Sequence, residues 1–398
     1  MKIKNPLITH WAISLAWATG LLFCCAAVQA QPSGAAPLRS EVLKPLAAAQ
    51  EALKNNQAEQ ALSRTREALA VTQLTPAERA LVFRTQAVAA LRVQNWDAAI
   101  EALAFLVTSP EVPPIDRFPL FESLINAAQQ KKDHALVVKW ARQYLKDGGP
   151  KPVIRVVMIQ TLSLMGEHQQ VVNEMQEKMR LDQAAGHKTS EQELRMLAVS
   201  YRQLKDNAGY QTTLRRLLEL YPSKAYWAEV IQRLAQQVSL NPRLELDLYR
   251  LLDQTDNLEE ASEYSEMAQL ALKAGLPSEA QRVLNKGFEV GLLGKGTDAA
   301  IHNKLRMDAQ KKLQEDERGF AQFEQAAQDS TAWAGVGNVY ASQQNWTAAN
   351  VAYAKALAVG GLRREAELRL HYAISLLKSG QKDAARQQLA AVQGDALA

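Results

Sequence analysis

The chain has 398 residues, 47% of them hydrophobic, and 46 Lys and Arg against 42 Asp and Glu give a formal net charge of +4. That balance leaves no basic surplus for nucleic acid, and 19 Gly with 14 Pro are too few for a low-complexity chain. Ala, Leu, Gln, Glu, Lys and Arg prevail, all good helix formers, so the expected fold is all-α.

The first thirty residues stand apart. Lys2 and Lys4 precede an uncharged apolar run from Trp11 to Val28, which ends in Val28-Gln29-Ala30. This is the pattern of a secretory signal peptide cut after Ala30. An uncleaved inner-membrane anchor is the alternative, since the run is just long enough to span a bilayer. Cys24 and Cys25 both lie in this segment, and Phe23 stands where a lipid-modified cysteine needs a small residue. Cleavage leaves 368 residues with 44 basic and 42 acidic side chains and no cysteine. Such a chain has no disulfide, thiolate metal site or Cys nucleophile, and suits an oxidising compartment. Residues 31–37 are expected to be a short flexible linker before a helical region over 38–398.

Gln94-Asn95-Trp96-x-Ala98-Ala99 recurs as Gln344-Asn345-Trp346-x-Ala348-Ala349, shifted by 250 residues. A recurring phrase calls for a repeat reading of the whole chain. The second copy carries Trp333, Val336-Gly337, Tyr340, Ala349, Tyr353 and Ala356; the first carries Phe83, Gln86-Ala87, Ala90, Ala99, Leu103 and Leu106 at the same offsets. Aligning every segment on that frame gives the anchors Ala49, Ala87, Ile125, Ile159, Ala198, Ile231, Ala268, Met307, Gly337 and Ala373, with a mean spacing of 36 residues. An insertion is expected at Asn241-Pro242, and Ala299 to Ala327 is the weakest match. Gly166, Gly275 and Gly380 fall between the two helices of a pair, as helix stops. Pro76, Pro110, Pro113, Pro150 and Pro222 fall between pairs, where a helix cannot run through.

The spacing W-x2-V-G-x2-Y-x8-A-x3-Y-x2-A in the copy from Trp333 to Ala356 resembles the tetratricopeptide repeat. With the leader, the chain resembles secreted tetratricopeptide repeat proteins of the bacterial envelope. The resemblance implies a right-handed α-solenoid of about ten helix pairs, in which neither helix of a pair buries its apolar face without its neighbours.

Chemistry-bearing motifs are few. Gly291-Leu292-Leu293-Gly294-Lys295-Gly296-Thr297 departs from a phosphate loop at Glu289 and Gly296 and is expected to follow a helix, so it reads as a glycine-capped loop. His134, His168, His187, His302 and His371 include no HExxH, and there is no GxSxG. Asn345-Trp346-Thr347 fits a glycosylation sequon, but Trp346 is expected to be needed for packing. The mixed cluster Lys311 to Arg318 reads as a solvated helix end. No enzyme activity, metal or cofactor is expected.

In the tetratricopeptide family, the residue after the small anchor usually points into the concave groove. Here those residues are Gln50, Val88, Asn126, Gln160, Val199, Gln232, Gln269, Asp308, Asn338 and Ile374. The amides Gln50, Asn126, Gln160, Gln232, Gln269 and Asn338 form a candidate ladder, because a primary amide both donates and accepts and so matches an extended peptide backbone. The resemblance implies a non-enzymatic scaffold or adaptor in the periplasm that binds a protein or peptide partner of the cell envelope. Its mature form is expected to be soluble, with outright secretion as an alternative. A second resemblance, of "LDLYRLL" and "GLPSEAQRVLNKGFEVGLLGKG" to secreted repeat proteins of TonB-type transport systems, implies the alternative of an accessory subunit of envelope transport or of polymer assembly or export.

Overall fold

The computed structural model describes residues 38–238 and 244–392. The leader and linker expected over 1–37, and the insertion at Asn241-Pro242, lie outside the described residues. Among those described are nineteen helices and no strand. In chain order they are α1 (Ser40–Lys54), α2 (Ala58–Leu69), α3 (Pro76–Arg92), α4 (Trp96–Thr108), α5 (Pro114–Gln130), α6 (His134–Lys146), α7 (Val153–Leu164), α8 (His168–Ala184), α9 (Glu191–Gln203) and α10 (Asn207–Leu220). There follow α11 (Lys224–Val238), α12 (Glu245–Gln254), α13 (Ala261–Lys273), α14 (Pro277–Glu289), α15 (Ala299–Ala326), α16 (Ser330–Ser342), α17 (Trp346–Val359), α18 (Glu365–Lys378) and α19 (Lys382–Ala390). The described residues divide into two compact units between 178 and 179, at a point within α8.

One turn, used again and again, makes the helix pairs. Gln94 and Gln344, the first letters of the repeated phrase, have φ of +56° and +61°. Asn95 and Asn345 follow, and each donates its backbone N–H to the carbonyl five residues back, on Ala90 and Tyr340, at 2.9 Å. That bond closes a Schellman motif on the outgoing helix. The same asparagine caps the incoming helix, its Oδ1 accepting from Ala98 N at 3.1 Å or from Ala348 N at 3.3 Å. One short phrase thus ends a helix and starts the next, which is why it recurs. Asn56, Lys132, Gly166, Lys205, Gly275 and Gly380 take the same left-handed position in other pairs. Asp133 and Asp206 take the capping position, accepting from Leu136 N and Gly209 N.

Between the turns, small residues set the packing. Of the ten anchors on the first helices, nine are buried, Ala49 and Ala268 completely. Their counterparts on the second helices, Ala61, Ala99, Val137, Val171, Ala280 and Ala349, are all fully buried, and Ala385 nearly so. Small side chains at both contact points let the helices of a pair approach closely. Large residues such as Phe121, Tyr144, Met158, Leu214, Tyr264 and Tyr353 are buried among the helices. Each fully buried large apolar side chain contributes about 1.5–3 kcal/mol, so the stack rather than any single pair holds the core.

The tenth anchor corrects the count. Met307 is 63% exposed, and residues 299–326 form one 28-residue helix, not a pair. Among the described residues the array is nine helix pairs and a single long helix. The segment from Ala299 to Ala326 holds no proline and no capped turn, and a Cβ at Gly319 in mid-helix would meet open space. Nothing in it stops the helix, so it runs on.

The single helix shifts the layering of the second unit. Helices alternate between two layers, so α13 packs with α15, and α14 with α16 and α16 with α18. Beyond α15, the helices that open a pair, α16 and α18, therefore share a layer with helices that close one, α12 and α14.

Candidate functional site

Every predicted amide lies on the first helix of its pair. In the first unit Gln50 is on α1, Asn126 on α5 and Gln160 on α7; Asn126 is exposed and the other two are half-buried. Val88, 40% exposed on α3, interrupts the row. Asn126 Oδ1 accepts a long bond from Gln130 Nε2 at 3.5 Å, one turn on along the same helix. In the second unit Gln232 on α11 and Gln269 on α13 are exposed and share one layer. Asn338 on α16 belongs to the other layer, because of the shift at α15. Its Oδ1 already accepts from the Tyr353 hydroxyl at 2.9 Å. The structure thus places Gln232 and Gln269 in one layer and Asn338 in the other.

The layer of α12, α14, α16 and α18 curls on itself. His371 Nε2 of α18 lies 3.2 and 3.1 Å from Asp247 Oδ1 and Oδ2 of α12. Seven residues further along both helices, Lys378 Nζ donates to Gln254 Oε1. Both links join residues 124 apart in sequence, so α12 and α18 run parallel and in register. In a flat row these helices would stand three interaxial steps apart, roughly 25–30 Å. Side-chain contact requires the row to close, and this layer is the inside of the curve.

A charged network holds the closure. Arg250 of α12 makes a two-pronged contact with Glu279 of α14, Nε to Oε1 at 2.9 Å and Nη2 to Oε2 at 2.6 Å. Its Nη1 reaches Asp247 Oδ1 at 2.8 Å. Arg282 extends the network to α16, donating to the Ser342 carbonyl at 3.1 Å. Burial works against the charge on Asp247, but His371 and Arg250 outweigh it and hold the carboxyl far below its usual range. Burial likewise opposes the Arg250 charge, and Glu279 and Asp247 more than compensate, raising its pKa. Tyr353, buried beside this cluster, has its hydroxyl pKa pushed up chiefly by desolvation.

Sequence reasoning passed over this network. Its signals are visible only in hindsight. Asp247 and Arg250 stand one turn apart in α12, and His371 and Lys378 two turns apart in α18. Neither pair has meaning without the other.

A cleft of about 480 Å³ in the first unit lies between α6 and the α7–α8 turn. Lys139, Arg142 and Lys146 line one side, Leu162 and Met165 the other, and none of the predicted amides reaches it. The glycine-rich segment after α14 is a loop in which Gly291, Gly294 and Gly296 all have positive φ, and Gly294 N donates to the buried His302 Nδ1 at 3.3 Å. It follows a helix, the wrong geometry for a phosphate loop. Among the described residues no three His, Cys, Asp or Glu side chains gather as a metal site, and no helix is long and apolar enough to cross a membrane.

No protein-family model matches the chain, and no curated protein does. Solved structures of helical repeat proteins do. A tetratricopeptide repeat protein from Parabacteroides merdae is 9% identical, over 87% of this chain and all of that one, with a TM-score of 0.30. The yeast Sti1 TPR2AB domain, solved with an Hsp90 peptide, is 14% identical over 68% of this chain and 98% of its own, with a TM-score of 0.31. PilF from Pseudomonas aeruginosa is 15% identical over 48% of this chain and 96% of its own, with a TM-score of 0.25. The helix pairs themselves, with their buried anchors and shared turn, make this chain an all-α helical-repeat protein.

Proposed function

We propose that the chain is a non-enzymatic scaffold of the bacterial periplasm that binds a protein or extended peptide of the cell envelope on its helix-pair array. The observation that carries this reading is the exposed polar face of the first helices. Asn126, Gln232 and Gln269 stand exposed, each immediately after a buried anchor that fixes its helix. A side chain on a helix fixed in this way is pre-organised for binding, which lowers the entropy lost on association. The leader pattern of Lys2, Lys4, the apolar run and Val28-Gln29-Ala30 supports export, with 31–37 as linker.

The test is in-cell photo-cross-linking from positions 126, 232 and 269 in the full-length chain, with mass spectrometry of envelope fractions. A discrete envelope protein joined at these positions is the expected result. Cross-links confined to other faces would remove the amide face as the working surface. Replacing Gln160, Gln232 and Gln269 together by Ala should then weaken that partner, and unchanged affinity would sink the ladder.

A further inference from the structure

The inner layer of the second unit is closed by the protein's own α18, its last member, which meets α12. This helix reaches α12 with a basic side chain at each of two levels, His371 on Asp247 and Lys378 on Gln254. Seven residues of helix separate the levels by about 10 Å. Between them on the same stripe lies Ile374, 38% exposed, with Leu370 one turn before it. The receiving helix carries Glu245, Asp247 and Asp253 against one Arg250, and Asp253 is already paired with Lys286 of α14 at 2.8 Å. Its Arg250 is committed to Glu279, so the remaining capacity of Asp247 is directed at whatever lies opposite.

We propose that α18 is an internal stand-in for a ligand, and that the inner face built by α12 and α14 takes a helical protein segment carrying two basic side chains two turns apart around an apolar residue. The closed ring is the resting form, and a partner segment of that chemistry displaces the α18–α19 pair. The occupant is set by charge complementarity at Asp247, which His371 meets, by the amide oxygen of Gln254, which accepts from Lys378, and by the parallel register that α18 itself displays. The proposal rests on the reading of the chain as a protein-binding scaffold and adds the face, the ligand chemistry and an autoinhibitory contact.

The experiment uses the full-length chain and a fluorescent synthetic peptide of residues 364–379, the α18 sequence itself. In the double variant His371→Ala, Lys378→Ala, amide hydrogen exchange over α12 and α18 should rise at least tenfold while α13 and α14 stay protected. The peptide should bind this variant at least tenfold more tightly than it binds the unaltered protein. Adding Asp247→Asn should abolish the capture, and circular dichroism confirms that each variant keeps its helices. If the double variant loses its helices, His371→Gln alone replaces it in both measurements. Unchanged exchange at α12, or equal peptide binding by the variant and the unaltered chain, overturns the proposal. Neither result touches the cross-linking from 126, 232 and 269, so this inference and the scaffold reading fail separately.

Discussion

Gly337 on α16 lies flat against the ring of Tyr353 on α17: a Cβ at that position would sit 2.5 Å from the Cδ1 and Cε1 atoms of the ring. Tyr353 is 1% exposed and hydrogen-bonded through its hydroxyl, so the ring has nowhere to swing. Gly337→Ala gains about 1 kcal/mol of helix propensity. Overpacking against a fixed ring costs about 1–3 kcal/mol, and overpacking should win. Urea denaturation is expected to show a net loss of stability, and a gain would mean that α16 and α17 separate freely.

Lys205 closes the α9–α10 pair at φ +58°, a conformation that L side chains adopt only with strain. Lys205→Gly keeps the turn and relieves the strain. It should raise stability by about 0.5–1 kcal/mol, read as a higher urea midpoint at unchanged slope. A lower midpoint would show that the lysine side chain contributes more than its backbone conformation takes away.

Glu78 ties the start of α1 to the start of α3. Its carboxylate accepts from Arg39 Nε at 2.9 Å and Nη2 at 2.8 Å, and from Thr75 N at 2.9 Å. The Arg39 hydrogen bond, followed by that of the Thr75 backbone, lowers its pKa to about 2. A depressed carboxylate contributes stability that is complete above its unfolded value near ~4.3 and is lost as pH falls through the folded value. The melting temperature should therefore drop between pH 4.5 and 2. Glu78→Gln should lower it at pH 7 and flatten that acid limb, and an unchanged limb would assign it to other carboxylates.

Arg250→Met removes the cation between Asp247 and Glu279 and leaves the buried Glu279 carboxylate with only Arg282, 3.7 Å away. Breaking a buried pair in this way costs about 3–5 kcal/mol. Arg250→Lys should recover only part of this, because a lysine cannot reproduce the two-pronged contact with Glu279. Thermal unfolding of the three proteins should rank native, Lys, Met. Equal stability of the Lys variant and native protein would show that charge alone, without fork geometry, satisfies the site.

The sequence revealed what is local. The repeated phrase, the small anchors and the glycine stops are short-range signals, and all but the anchor at Met307 turned up where the spacing placed them. The long helix α15 was harder to see, because its signal is a missing turn, and a degenerate repeat also looks like missing letters. The shift of layers that moves Asn338 away from Gln232 and Gln269 follows from that one helix. The network of Asp247, Arg250, Glu279 and His371 was out of reach. Its partners are up to 124 residues apart, and only the curvature of the whole unit, a sum of small rotations between pairs, brings them together.

In an open repeat array each unit touches only its neighbours, so the last pair is the weakest and melts first. The links from α18 back to α12 change the topology of that melting. The stretch from Glu245 to Lys378 has its two ends fastened to each other, and its last pair is no longer a free end. Fraying from the C-terminus must first break contacts that span half of the unit. Cleavage within α18 by a protease should then follow the opening of the ring as a whole rather than the loosening of one hairpin.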